Sequence, residues 1–212
     1  MTRWAAAPIV VAASIVAGCT PSYRVHVNTF AEPNHPVNQG AAVFVATDPN
    51  TSNPILRRQI EAKIRELLSG HGYRPVDTPD TADYLLTFNV GLHSNEVVGY
   101  APVYRPYGGF YGGYFGHWGL GYTTYMPYYD TIYVHWLRVK LYMKAGGVLN
   151  EANVVWLGEA QTGTDDPELR QAVNYLLVAL MDYFGTDTRK WVAVTLTRDD
   201  PRVQGIMEVQ GQ

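Results

Sequence analysis

One cysteine, Cys19, is all the chain has in 212 residues. A lone thiol cannot close an internal disulfide, and a cysteine-free remainder suits an oxidising compartment, where a stray thiol is a liability. Charge of one sign is equally scarce: 16 Lys and Arg stand against 19 Asp and Glu, a formal net charge of −3, so no basic face for nucleic acid is expected. No hydrophobic run is long enough to cross a bilayer as a permanent helix; the longest, Ala5 to Ala17, is short of the roughly 20 residues required. Catalytic constellations are missing too. The six histidines, His26, His35, His71, His93, His117 and His135, never pair at a helical i, i+4 spacing, and no Cys or HxxE motif accompanies them, so no metal is expected. Ser14, Ser22, Ser52, Ser69 and Ser94 lack a G-x-S-x-G setting. Gly108-Gly109 and Gly112-Gly113 are flanked by tyrosines rather than by Lys and Ser or Thr, which removes the phosphate-loop reading. Asp165-Asp166, a pair of adjacent acids ahead of Pro167 and Glu168, is read as helix capping. No cofactor and no enzymatic reaction are expected.

What is present begins with a short apolar run after a single charge, Arg3, ending in Val16-Ala17-Gly18-Cys19. This stretch resembles the lipobox of bacterial lipoproteins. The resemblance implies that residues 1–18 are a signal peptide recognised through Val16, Ala17 and Gly18, and that Cys19 carries the lipid, with palmitate-type acyl chains on sulfur and amine. Each buried methylene contributes about 0.8 kcal/mol, so two or more acyl chains hold a protein to a membrane without a spanning helix. Thr20 follows where an Asp is a retention signal for the inner membrane, so the resemblance points to the periplasmic face of the outer membrane. A chain beginning at Cys19 loses Arg3 and carries 15 basic and 19 acidic residues, about −4 net.

Downstream, Tyr23, Val25, Val27 and Phe30 follow a near alternation that predicts a half-buried strand, and Ala41 to Ala46 is an apolar run suited to a second. Asn53-Pro54 opens a helix, since Asn accepts from free amides and proline at the first position has no amide to leave unpaired. Leu56, Ile60, Ile64, Leu67 and Leu68 form its apolar stripe, and Gly70 and Gly72 close it. Asp83 to Val90 reads as a third, central strand. Thr131 to Lys144 and Val154 to Thr162 alternate and are joined by turn residues, including Gly146-Gly147, which predicts an antiparallel hairpin. Asp165-Asp166-Pro167-Glu168 repeats the cap-then-proline pattern ahead of a stripe of Leu169, Val173, Leu176, Leu177, Leu180 and Phe184, ended by Gly185. Trp191 to Thr197 adds a strand, and residues 199–212 read as a weakly structured tail.

Between these elements, residues 99–130 differ in composition. Nine of the sixteen tyrosines and eight of the twenty glycines fall there, with Arg105 and Asp130 the only charges. The stretch has neither helical nor clean strand periodicity and is expected to be a long surface insertion, partly ordered at best. Tyr104, Tyr107, Tyr111, Tyr114, Trp118, Tyr122 and Tyr125 are its candidate partner-contact residues, because rigid aromatic side chains give large contact areas.

The order strand, strand, helix, strand, insertion, strand, strand, helix is carried by Asn53-Pro54, Gly72-Tyr73, Ala82-Asp83-Tyr84-Leu85-Leu86 and Val155-Trp156-Leu157-Gly158. With the lipobox it resembles an uncharacterised Gram-negative envelope lipoprotein family, domain of unknown function 4136, over nearly all of residues 19–185. The expected architecture is a single α+β domain over residues 19–198: a mixed, mostly antiparallel sheet, two helices packed on one face and the Gly/Tyr-rich insertion. The expected role is that of a non-enzymatic outer-membrane lipoprotein in the cell envelope, structural or protein-interacting, with a membrane anchor, an envelope protein partner and no nucleic acid. The alternative is a periplasmic glycan-binding protein or hydrolase that uses the aromatic insertion as a platform.

Overall fold

Asn53 does what its position before a proline predicts: its side-chain oxygen accepts from the amides of Ile55 and Leu56, both at 3.1 Å, and α1 runs from Pro54 to Gly70. Gly72 then adopts φ +83°, a left-handed conformation open to glycine, and the Tyr73 amide returns to the Leu68 carbonyl at 2.9 Å. These observations come from a computed structural model that describes residues 22–47, 53–106, 121–144 and 150–209. The expected signal-peptide residues 1–18 with Val16, Ala17 and Gly18, the expected lipidation residue Cys19, Gly146 and Gly147, and residues 107–120 lie outside the described residues.

The described chain is α+β, with a seven-stranded mixed sheet and three helices. The strands are β1 (Ser22–Ala31), β2 (Ala42–Thr47), β3 (Arg74–Val76), β4 (Tyr84–Pro106), β5 (Gly121–Met143), β6 (Val154–Thr164) and β7 (Val192–Thr197), in the spatial order β3-β2-β4-β5-β6-β1-β7. Four of the six pairings are antiparallel; the two parallel ones, β2 with β3 and with β4, lie on the side of the sheet where α1 crosses over. Asp83 ties this corner, its carboxylate accepting from the Ala42 amide at 2.7 Å.

α2 (Leu169–Met181) lies against β6, β5 and β1 as well as α1. Every residue from Ala172 to Met181 is buried, so α2 is a core helix rather than an amphipathic one. The stripe read from the sequence therefore covers only part of its apolar surface; Val178, Ala179 and Met181 require cover as well. Part of that cover is α3 (Pro201–Met207), which contacts α2 and buries Val203 and Ile206. Over residues 201–207 this corrects the reading of 199–212 as a weakly structured tail; residues 210–212 lie outside the described residues. Asp200 caps α3 by accepting from the Arg202 amide at 3.0 Å, and the Arg202 guanidinium bonds Asp182 at the end of α2 at 2.7 Å.

Capping at the start of α2 also differs in detail from the sequence reading. Pro167 is not the first helical residue; Glu168 is the cap, accepting from the Arg170 amide at 3.0 Å, and Asp166 supports it by accepting from the Glu168 amide at 2.9 Å.

Trp156 shows why the Val155-Trp156-Leu157-Gly158 run has its glycine. Residues two apart on a strand share a face, and the Trp156 ring lies where a Cβ on Gly158 would sit, 2.4 Å from the ring's Cη2. The ring is also tilted against Phe184 at a centroid distance of 4.8 Å, and its indole N–H donates to the Thr186 carbonyl at 3.0 Å.

Candidate functional site

β4 and β5 are both 23 residues long, and only part of each belongs to the sheet. β4 pairs with β2 through residues 84–88, and β5 pairs with β6 through residues 133–142. Beyond Ser94 and Tyr133 the two strands pair only with each other, in unbroken register from Asn95–Ile132 out to Pro106–Gly121. Those residue pairs make a two-stranded ribbon about 40 Å long at the usual strand rise. β1 starts at the same end of the sheet, because its Arg24 carbonyl accepts from Thr162 near the end of β6, where Thr164 pairs with Tyr133.

Within the stretch 99–130, whose composition shows no clean strand periodicity, 99–106 and 121–130 are nonetheless β-strand, while 107–120 lie outside the described residues. Glycine and aromatic residues meet across the ribbon. Gly99 faces Tyr128, whose ring occupies the space beside it, and a Cβ on Gly99 would lie 2.3 Å from the Tyr128 Cζ. At the base, Gly91 faces Trp136 in the same way, with 2.4 Å to its Cζ2. Aromatic rings laid over glycines replace the packing that a glycine lacks in a strand.

Among the side chains described, most of those on the ribbon are exposed to solvent, on both of its faces. Val97, Val98, Tyr100, Tyr125, Met126, Tyr128 and Tyr129 are all exposed, Tyr129 to 72% and Tyr100 to 66%. Of the candidate contact residues, Tyr125 is on this surface at 66% exposure. Tyr104 and Tyr122 sit on the paired strands, and Tyr107, Tyr111, Tyr114 and Trp118 lie outside the described residues.

At the base of the ribbon Trp136 separates two shallow hollows of about 170 and 300 Å³. The first is lined also by Lys140, Tyr142 and Glu151, the second by His93, Glu159, Gln161 and Trp191. Their carboxylates are already engaged: Glu159 with Arg138 at 2.8 Å, and Glu151 with Lys140 at 2.8 and 2.9 Å and with the Tyr142 hydroxyl at 3.3 Å. The Lys140 hydrogen bonds hold the Glu151 carboxyl below its ordinary range, the opposite of what a general acid needs. Neither Trp136 nor Trp191 stands in a sequence motif, and the fold brings both to one hollow.

His135 lies beside this region but faces inward. It is fully buried, and neither ring nitrogen has a hydrogen-bond partner among the described residues. Burial pushes its pKa down, against the opposing pull of the Pro167 carbonyl, Asp166 and Glu168. Below the ordinary histidine pKa of about 6.5 the unfolded chain binds a proton that the folded chain resists, so stability present above that pH is lost on acidification. Unfolding free energies measured from pH 7.5 to 5 should therefore fall more steeply for the native chain than for His135→Leu; parallel curves would assign His135 a proton-accepting partner. Among the described residues no three His, Cys, Asp or Glu side chains converge on a common point, and no helix is long and apolar enough to cross a membrane.

A seven-stranded mixed sheet with three helices and one long projecting hairpin defines the class: an α+β domain with a β-ribbon arm. The chain belongs to the DUF4136 family, a domain of unknown function, whose model matches residues 24–184. No curated protein matches the chain at a significant level. Among solved structures, two crystal forms of the PelC dodecamer from Paraburkholderia phytofirmans are similar at 16% and 17% identity, with TM-scores of 0.42 and 0.41. These alignments cover 78% and 76% of this chain and 99% and 98% of the other. A PDZ domain protein from Parabacteroides distasonis is similar at 15% identity and a TM-score of 0.48; the alignment covers 84% of this chain and 40% of that protein.

Proposed function

We propose that the protein is a non-enzymatic lipoprotein of the cell envelope, held to the periplasmic face of the outer membrane through an acylated Cys19, with a structural or protein-interaction role. Both long helices cover one face of the sheet in this reading, and the β4–β5 ribbon is the contact element. The observation that carries it is the ribbon itself. A two-stranded arm with both edges unpaired and aromatic side chains exposed on both faces contributes little to the stability of the domain it leaves, and large exposed apolar surfaces mark contact sites. The Val16-Ala17-Gly18-Cys19 sequence, followed by Thr20, supports the anchor.

Replacing Cys19 by alanine tests the tether. The variant should move from the salt-washed outer-membrane fraction to the soluble or unprocessed fraction; native-level retention in the washed outer membrane sinks the anchoring claim. The glycan-binding reading is favoured by one observation, the hollow that Trp136 and Trp191 share with Gln161 and Glu159. A saccharide titration followed by tryptophan fluorescence separates the two readings.

A further inference from the structure

Lys63 is the charged side chain of α1 that points inward. It is 7% exposed, and its ammonium donates to the neutral Asn174 side-chain oxygen on α2 at 2.7 Å. No carboxylate pairs with it among the described residues, although a buried ammonium ordinarily requires one. It lines an open hollow of about 320 Å³ between α1, α2 and the segment from β7 into α3, together with Arg170, Arg198, Gln171, Glu168 and Met207. Arg170 and Arg198 also form no ion pair among the described residues, whereas Arg65, Arg138 and Arg202 each do. The one acid of the lining, Glu168, uses its carboxylate to cap α2 through the Arg170 amide. Three cations and one carboxylate leave the lining with about two positive charges, and the repulsion of Arg170 adds to burial in pushing the Lys63 pKa down.

We propose that this hollow is a binding site for a small phosphate-bearing dianion, with Arg170 and Arg198 gripping its oxygens and Lys63 supplying the buried charge. The match is chemical. Guanidinium groups pair with phosphate oxygens through two parallel N–H bonds, and a dianion neutralises the lining where chloride or a monocarboxylate does not. The dianion gives Lys63 a counter-charge that no described carboxylate supplies. Met207 and the lysine stem leave room for a short organic substituent, so a free phosphate and a phosphate monoester are both of the right class.

The test is titration of the folded protein with inorganic phosphate, with glycerol phosphate and with acetate, at ionic strength held constant with chloride, read by calorimetry and by melting temperature. Either phosphate probe should bind and raise the melting temperature, and acetate should not. Tighter binding of glycerol phosphate identifies an ester as the natural ligand, and tighter binding of inorganic phosphate the free ion. The exposed pair Arg170→Gln and Arg198→Gln should leave the melting temperature of the unliganded protein unchanged and weaken phosphate at least about tenfold, one charge-assisted bond lost for each arginine. Lys63→Met should abolish binding and raise the unliganded melting temperature, because it removes an uncompensated buried charge at nearly constant volume. Absence of phosphate binding at millimolar concentration, binding that survives in the double arginine variant, or a Lys63→Met chain that melts lower than the native one each overturns the proposal. The last result makes Lys63 a structural bridge between α1 and α2.

Discussion

A chain in which residues 97–130 are replaced by Asn-Gly should melt within about 2 °C of the native protein and lose the proteins that co-purify with it. Glu96 and Thr131 face each other across the ribbon, so a two-residue turn at that point closes the shortened hairpin in its natural register. Among the described residues, 97–106 and 121–130 take part in strand pairing only with each other, and none of them pairs with β2 or β6. The sheet, α1, α2 and the core around Trp156 are untouched. Pull-down with the anchored protein and differential scanning calorimetry read the two halves of the prediction separately. A drop of more than about 5 °C would make the ribbon part of the stability of the domain, and unchanged partner capture would move the contact elsewhere.

Trp156→Ala should act in the opposite sense, removing about 4 kcal/mol of stability, or about 10 °C of melting temperature, with no direct effect on the ribbon. The side chain is 1% exposed, packs on Phe184 and over Gly158, and satisfies the Thr186 carbonyl. Truncation therefore leaves a cavity and an acceptor without its donor, two costs that add. Trp191, at 46% exposure, is the control: its alanine variant should lie within about 0.5 kcal/mol of native in chemical denaturation. Equal effects at the two tryptophans would mean that Trp156 is not the keystone of the α2 contact with β6.

These expectations differ in how directly the residues announced them. α1, its Asn53 cap, the Gly72 stop and the pairing of β5 with β6 follow from local patterns, because a cap, a helical stripe and a period-two alternation are all written within a few residues. The ribbon is not written that way. Alternation arises when one face is buried, and here both faces are exposed, so no period-two signal exists to be read; what packs on Gly99 is the Tyr128 ring of the other strand, far along the chain. α3 is a different case. Asp200-Pro201 repeats the signal of Asn53-Pro54, and the bond from the Arg202 amide to Asp200 confirms that it caps a helix. A cap-and-proline signal of this kind marks where a helix can start, not whether a chain-terminal segment folds. What decides it is α2, whose apolar surface continues past one stripe and needs Val203 and Ile206 over it. The cation-lined hollow had no sequence signature, because Lys63, Arg170 and Arg198 come from three separate elements and each alone looks like an ordinary surface charge.

β1 enters the sheet at the end from which the ribbon leaves. Only Thr20 and Pro21 separate Cys19 from Ser22, a leash of about 10 Å at full extension. On the proposed tether, an arm of about 40 Å against a leash of about 10 Å would have to lie along the membrane surface rather than extend straight toward it, and its contacts would then be sought at that surface.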